Sequence, residues 1–161
     1  MNSWARRIEF LTNLFVLFAF LCLSVLLARR VLQPDGSNAS LKVGQRISIA
    51  GASLSDKNLV LVLSTTCHFC SESALFYQRL VPMAKNARVP VIAVFPQTQT
   101  EGSSYLARLG VSDVAVAQGS LSSMHTSGTP TILIVDGIGK ISRFWVGKLD
   151  ADNEDKVLSA L

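Results

Sequence analysis

Apolar residues fall along this chain in two regimes. From Ile8 to Ala28 (IEFLTNLFVLFAFLCLSVLLA) they form one long run, with Glu9, Thr12 and Asn13 confined to its first turns. Its 21 residues, at about 1.5 Å of helical rise each, match the roughly 30 Å hydrocarbon layer of a bilayer and predict a membrane-spanning helix. Beyond residue 40 the runs shorten to strand length and alternate with helical patterns. NLVLVLS (Asn58–Ser64) and VPVIAVF (Val89–Phe95) predict strands buried on both faces. Between them, Ala74, Leu75, Tyr77, Gln78, Val81 and Met83 run through a helical stretch that Pro82 is expected to kink or end. Glu101–Leu109 predicts a short helix stopped by Gly110, and Asp113–Ala117 a brief strand. TILIV (Thr131–Val135) and KISRFWV (Lys140–Val146) flank Asp-Gly-Ile-Gly as a hairpin. The tail from Asp150 opens with acidic N-cap chemistry and predicts a terminal helix.

That order predicts an α/β domain: a largely parallel central sheet with helices on both faces and an antiparallel hairpin added at its edge. The chain divides into a membrane anchor (residues 1–30), a polar tether (31–40, VLQPDGSNAS) and one domain (41–161) with a weakly alternating lead-in. No internal repeat or low-complexity segment is present.

The apolar run ends in Leu-Leu-Ala-Arg-Arg, without an A-x-A cleavage pattern, and Leu21 precedes Cys22 where a lipoprotein site needs a small residue. An uncleaved signal-anchor is the better reading. Arginine pairs at both ends of the run leave its orientation unassigned by charge bias. The net charge of +4 also belongs to these flanks. Removing Arg6, Arg7, Arg29, Arg30 and Glu9 leaves 11 Lys+Arg against 10 Asp+Glu, a balance of +1 with no basic stripe for nucleic acid.

Of three cysteines, Cys22 lies in the apolar run, so the domain holds only Cys67 and Cys70. They follow the first strand in LSTTCHFCSES (Leu63–Ser73), which puts Cys67 at the mouth of the next helix. Unpaired N–H groups there favour a thiolate, and such a site lowers a cysteine below its free pKa of about 8.5. Cys70, one turn on, would be the more buried thiol. Several uses of the pair compete. A structural zinc site needs four ligands, and Cys67, Cys70, His68 and His125 have no finger-like spacing. A permanent disulfide across three residues closes too small a loop to stabilise much. Copper(I) would suit the two thiolates plus a histidine in a metallochaperone, and a non-catalytic docking module would not need the thiols. A redox-active dithiol uses both the placement and the pairing, with His68 tuning how oxidising it is.

Gly128-Thr129-Pro130 stands immediately before the TILIV strand. Proline opening a strand after glycine is compatible with a cis X-Pro bond, although the sequence does not require one. With the Cys-x-x-Cys after the first strand and Leu41-Lys42-Val43-Gly44 ahead of it, these residues resemble the thioredoxin fold. More narrowly they resemble membrane-anchored thiol-disulfide oxidoreductases of the TlpA and ResA type, and LVLVLSTTCHFC is similar to the methylamine-utilisation accessory protein MauD. The resemblance covers roughly Leu41 to Leu161 and implies a three-layer sandwich. It implies that Cys67 attacks and Cys70 resolves, and that Thr129 and a cis Pro130 lie opposite them, the Thr129 backbone pairing with a substrate chain. It implies no organic cofactor and no metal. The partners would be client thiols or disulfides, plus a partner that recycles the pair, in an extracytoplasmic compartment such as a periplasm. Three features depart from the pattern: Thr66 replaces the usual Trp, Leu61 stands where many thioredoxins bury an acid beneath the dithiol, and His68-Phe69 replaces the usual Gly-Pro or Pro-Pro between the cysteines.

Overall fold

The computed structural model describes residues 15–18, 20–24 and 41–161. The chain divides into two units, Met1–Gly36 and Ser37–Leu161. In the first, residues 15–18 and 20–24 are helical and exposed, and Cys22 is a free, exposed thiol. The rest of the 8–28 run and the tether lie outside the described residues. Among the described residues no helix is long and apolar enough to cross a membrane.

In the second unit the strands are β1 (Lys57–Val62), β2 (Val91–Phe95), β3 (Ala115–Gln118), β4 (Thr131–Asp136) and β5 (Ile141–Val146). The helices are α1 (His68–Glu72), α2 (Ala74–Asn86), α3 (Gln99–Arg108) and α4 (Ala151–Leu158). They form one sheet in the order β3-β2-β1-β4-β5. β1 pairs parallel with β2, and β2 with β3. β4 runs antiparallel to both β1 and β5. The hairpin thus supplies a central strand as well as an edge, and the sheet is evenly mixed.

The strands read as continuous apolar runs because both faces are covered. Leu59, Leu61 and Leu63 of β1 and its end point into a core shared with Tyr77 and Leu80 of α2, Tyr105 and Leu106 of α3 and Val157 of α4. Val60, Val62, Ile92, Val94, Leu133 and Val135 point the other way. Within residues 41–161 all the helices that contribute buried residues do so on the first face, which corrects the expectation of helices on both. The reason is topological. The chain steps outward twice in the same direction, from β1 to β2 to β3, and two right-handed crossovers in one direction put α2 and α3 on the same side. The second face is closed by irregular chain, with Ile47 and Ile49 of the lead-in and Met124 of the 121–125 turns buried there.

That lead-in is pinned by backbone hydrogen bonds: Gly44 N–H donates to Ile141 O (2.7 Å), Ile141 N–H to Gln45 O (2.8 Å) and Ile47 N–H to Gly139 O (2.9 Å). Gly139 has φ +76°, and a Cβ there would run into the Ile47 carbonyl, so this turn requires glycine.

Two helix expectations also change. The cysteine-bearing helix is broken at Ser73, giving the five-residue α1 and the 13-residue α2. α2 then continues past Pro82 to Asn86. Pro82 sits on the exposed side, while Val81 and Ala84 on either side of it are buried against the sheet, so packing holds the last turn.

Candidate functional site

β1 is wholly buried from Asn58 onward, and it delivers Ser64, Thr65 and Thr66 as a turn at its C-terminal end. The turn is braced from the neighbouring loop: Gln97 Nε2 donates to Ser64 Oγ (3.1 Å) and Thr65 N–H to Gln97 Oε1 (3.4 Å). Cys67 follows as the N-cap of α1, with extended backbone (φ −85°, ψ 115°). Its sulfur takes the part that Ser or Asp oxygen plays in ordinary caps, accepting the Cys70 N–H at 3.1 Å. Because α1 is a single turn, this direct N–H contact rather than a long macrodipole is what favours negative charge on the Cys67 sulfur.

Cys67 and Cys70 are joined as a disulfide, with their Cα atoms 5.2 Å apart. Cys67 is half-buried, whereas Cys70 is 0% exposed within the helix-side core. Leu61 belongs to the same core and is also 0% exposed. No carboxylate occupies that position beneath the pair.

Opposite them, the Thr129–Pro130 peptide is cis. Its loop is held from behind by buried hydroxyls: Thr126 and Thr131 Oγ1 lie 2.8 Å apart, and Thr131 Oγ1 donates to Gly128 O at 2.8 Å. The Thr129 carbonyl oxygen lies 3.3 Å from the Cys67 sulfur. The Pro130 carbonyl accepts the Gly147 N–H at 2.7 Å, tying the loop to the end of β5. Among the described residues nothing bonds to the Thr129 N–H, so a half-exposed backbone edge faces the dithiol.

His68 is the first residue of α1 and 81% exposed in its side chain. Its Nε2 lies 2.9 Å from Glu72 Oε1, and it forms no hydrogen bond to either sulfur. Glu72 Oε2 in turn accepts from Lys148 Nζ at 2.7 Å. The Lys148 hydrogen bond is the largest influence and holds the Glu72 carboxyl below the usual carboxylate range; desolvation opposes it, and the Lys148 charge and the contact with His68 add to the lowering. Phe69 (54% exposed) and Leu75 (76%) present apolar surface on the same helices.

The structure therefore brings together Cys67, Cys70, Thr129 and Pro130, with His68 alongside and turned to Glu72. Glu72, Lys148, Gln97, Thr126 and Thr131 were not singled out from the sequence. The His68–Glu72 spacing of four residues was the one available signal; Lys148, 76 residues from Glu72, carried none. The four side chains weighed for zinc do not meet: among the described residues no three His, Cys, Asp or Glu side chains are gathered as metal ligands.

No protein-family model and no curated protein matches the chain. Solved structures do. The thioredoxin domain of a thiol-disulfide oxidoreductase from Bacteroides vulgatus is similar at 16% identity and TM-score 0.58, over 75% of this chain and 98% of that one. A thiol-disulfide isomerase from Corynebacterium glutamicum is similar at 19% identity and TM-score 0.55, over 76% and 93%. A secreted Mycobacterium tuberculosis disulfide oxidoreductase is similar at 14% identity and TM-score 0.53, over 73% and 96%. At these identities the likeness shows the fold, which is thioredoxin-like.

Proposed function

We propose that this protein is a thiol-disulfide oxidoreductase that exchanges disulfides with client proteins through Cys67 and Cys70. The observation that carries the reading is the asymmetry of the pair: a half-exposed sulfur that accepts a backbone N–H, bonded to one that is fully buried. In the reducing direction, the Cys67 thiolate attacks a client disulfide, forming a mixed disulfide and releasing one client thiolate. Cys70 then attacks the Cys67 sulfur, closing the Cys67–Cys70 bond and releasing the second client thiolate; two electrons pass to the client. The oxidising direction is the reverse. The client chain lies against the Thr129 backbone, and a separate partner restores the starting state.

The domain acts from a membrane anchor, the apolar run of residues 8–28, facing an extracytoplasmic compartment. The length and apolarity of that run support the anchor. The redox motif supports the compartment, as does the description of the M. tuberculosis neighbour as secreted. Carbonate extraction of cell membranes tests the anchor: the full chain stays with the membrane, and a chain without residues 1–30 does not.

The decisive experiment for the activity is a trap. Cys70→Ser leaves the mixed disulfide on Cys67 unresolved, so the variant accumulates client adducts on non-reducing gels that Cys67→Ser lacks. Absence of adducts, with no exchange between the purified reduced protein and a small disulfide, would sink the reading.

A further inference from the structure

Thr131 opens β4 at a position shaped for valine. Its partners across the two strand ladders are Val62 and Val146, and its own side chain is fully buried. A hydroxyl buried there must find hydrogen-bond partners, and they lie in the preceding loop. Thr131 Oγ1 donates to the Gly128 carbonyl at 2.8 Å and lies 2.8 Å from Thr126 Oγ1. Thr126, also buried, has its Oγ1 3.1 Å from the same carbonyl and accepts the Gly128 N–H at 3.4 Å. Two buried hydroxyls thus hold both polar backbone groups of Gly128.

The consequence falls on the next residue. The Gly128 carbonyl and the Thr129 N–H belong to one peptide plane, and that peptide is trans; the cis bond is the one after Thr129. In a trans peptide the C=O and the N–H point in opposite directions. With the carbonyl turned inward to the buried hydroxyls, the Thr129 N–H is turned outward. Among the described residues nothing bonds to it. Thr129 is half-exposed, and its own carbonyl lies 3.3 Å from the Cys67 sulfur. An unpaired N–H on fixed backbone beside the reactive sulfur has the polarity to take a main-chain carbonyl. There is room for one, because a Cβ at Gly128 would meet nothing within 4 Å.

The geometry points to Thr126 and Thr131 as positioning residues: by fixing the Gly128–Thr129 peptide, their hydroxyls aim the Thr129 N–H at a main-chain carbonyl of the client. This deepens the oxidoreductase reading and rests on it. The favoured substrate is then a disulfide carried in extended polypeptide, recognised through its backbone and without regard to side-chain sequence. A small disulfide with no carbonyl gains nothing from the loop. Neither hydroxyl bonds to a sulfur, so the exchange steps themselves are untouched.

The test compares two oxidants of the reduced full chain in single turnovers: insulin, whose disulfides lie in polypeptide, and hydroxyethyl disulfide, which has no carbonyl. Thr131→Val keeps the shape and removes the hydroxyl. It should raise the half-saturating insulin concentration about five-fold, the worth of one hydrogen bond, and leave the limiting rate and the hydroxyethyl disulfide rate within about two-fold of wild type. Thr131→Ser restores the hydroxyl and should return insulin to wild-type behaviour. Thr126→Val, which leaves the Thr131 hydroxyl on the Gly128 carbonyl, should shift insulin in the same direction and spare hydroxyethyl disulfide; it gives the answer if Thr131→Val does not fold. Equal losses with both oxidants would mark a general effect on the fold and overturn the proposal. So would valine variants that saturate with insulin like wild type, or a Thr131→Ser variant as impaired as Thr131→Val. Wild type that exchanges with hydroxyethyl disulfide but not with insulin overturns this inference alone. Wild type that exchanges with neither removes the oxidoreductase reading as well.

Discussion

The Cys67 sulfur lies 3.3 Å from the carbonyl oxygen of Thr129, although 62 residues separate them. The antiparallel pairing of β1 with β4 creates this closeness: Val62 is opposite Thr131, so the end of one strand meets the start of the other. Under the proposed exchange, a client chain that reaches the half-buried sulfur would also meet the Thr129 backbone.

The burial of the pair predicts which thiol reacts first. After gentle reduction, iodoacetamide should label Cys67 before Cys70, which is 0% exposed. Of these two cysteines, peptide mass spectrometry at short times should find the adduct on Cys67 only, and Cys67→Ser should leave Cys70 unlabelled until the protein is unfolded. Equal labelling of both would contradict the burial asymmetry.

Tyr77 is 0% exposed, and its hydroxyl makes no hydrogen bond. The neighbouring Ser73 hydroxyl donates instead to the Phe69 carbonyl at 2.8 Å. Burial pushes the Tyr77 phenol well above its ordinary value, and Ser73 opposes this only in part. Tyr77→Phe removes an unsatisfied polar group and should leave the protein as stable or more stable, by about 1 kcal/mol, in urea denaturation at pH 7. The sign of the alkaline effect follows from the raised folded-state pKa. The neutral phenol is favoured in the fold, so its contribution is intact below the unfolded value of about 10 and is lost as pH rises beyond it. Wild type should therefore lose stability above pH 10 more steeply than Tyr77→Phe.

Gly102 lies on the buried side of α3, where an added Cβ would meet Phe95 Cδ2 at 2.7 Å and Val116 Cγ1 at 3.0 Å. Alanine favours a helix over glycine by about 1 kcal/mol, but overpacking costs roughly 1–3 kcal/mol. Gly102→Ala should lower stability by about 1 kcal/mol, and Gly102→Val by more, in chemical denaturation. A stabilised Gly102→Ala would show that α3 shifts freely away from β2 and β3.

The contact between Glu72 and Lys148 predicts a titration. The Glu72 carboxyl should titrate below its ordinary value of 4.5, principally because Lys148 donates to it. In Lys148→Met its midpoint should rise towards that value in carbon-detected NMR. The favourable interaction is present above the ordinary carboxylate range and is lost as pH falls through the lowered midpoint. An unmoved midpoint in Lys148→Met would show that Lys148 does not hold the Glu72 carboxylate.

Much of this site is written locally in the chain. Uninterrupted apolar runs require strands covered on both faces, and a Cys-x-x-Cys directly after one of them places one sulfur at a helix start and the other a turn inside. Gly-Thr-Pro before TILIV marks the facing loop. Asp150 caps α4 through the Asn153 N–H at 2.9 Å, as its position before the helix implies. These features depend on backbone preferences and periodicities that act over a few residues.

Other features depend on strand order, which no local pattern carries. Stepping twice in one direction put the helices on one face, where alternation along the strands required only that both faces be buried. Packing against the sheet carried α2 past Pro82, against proline's own preference. Tertiary structure alone joined Glu72 to Lys148 and set Thr129 against Cys67, because each contact spans the sheet between segments distant in the chain. By itself the sequence determined that a dithiol stands at the end of a buried strand. The arrangement of neighbours around that strand decided what faces the sulfurs and how deeply each is buried.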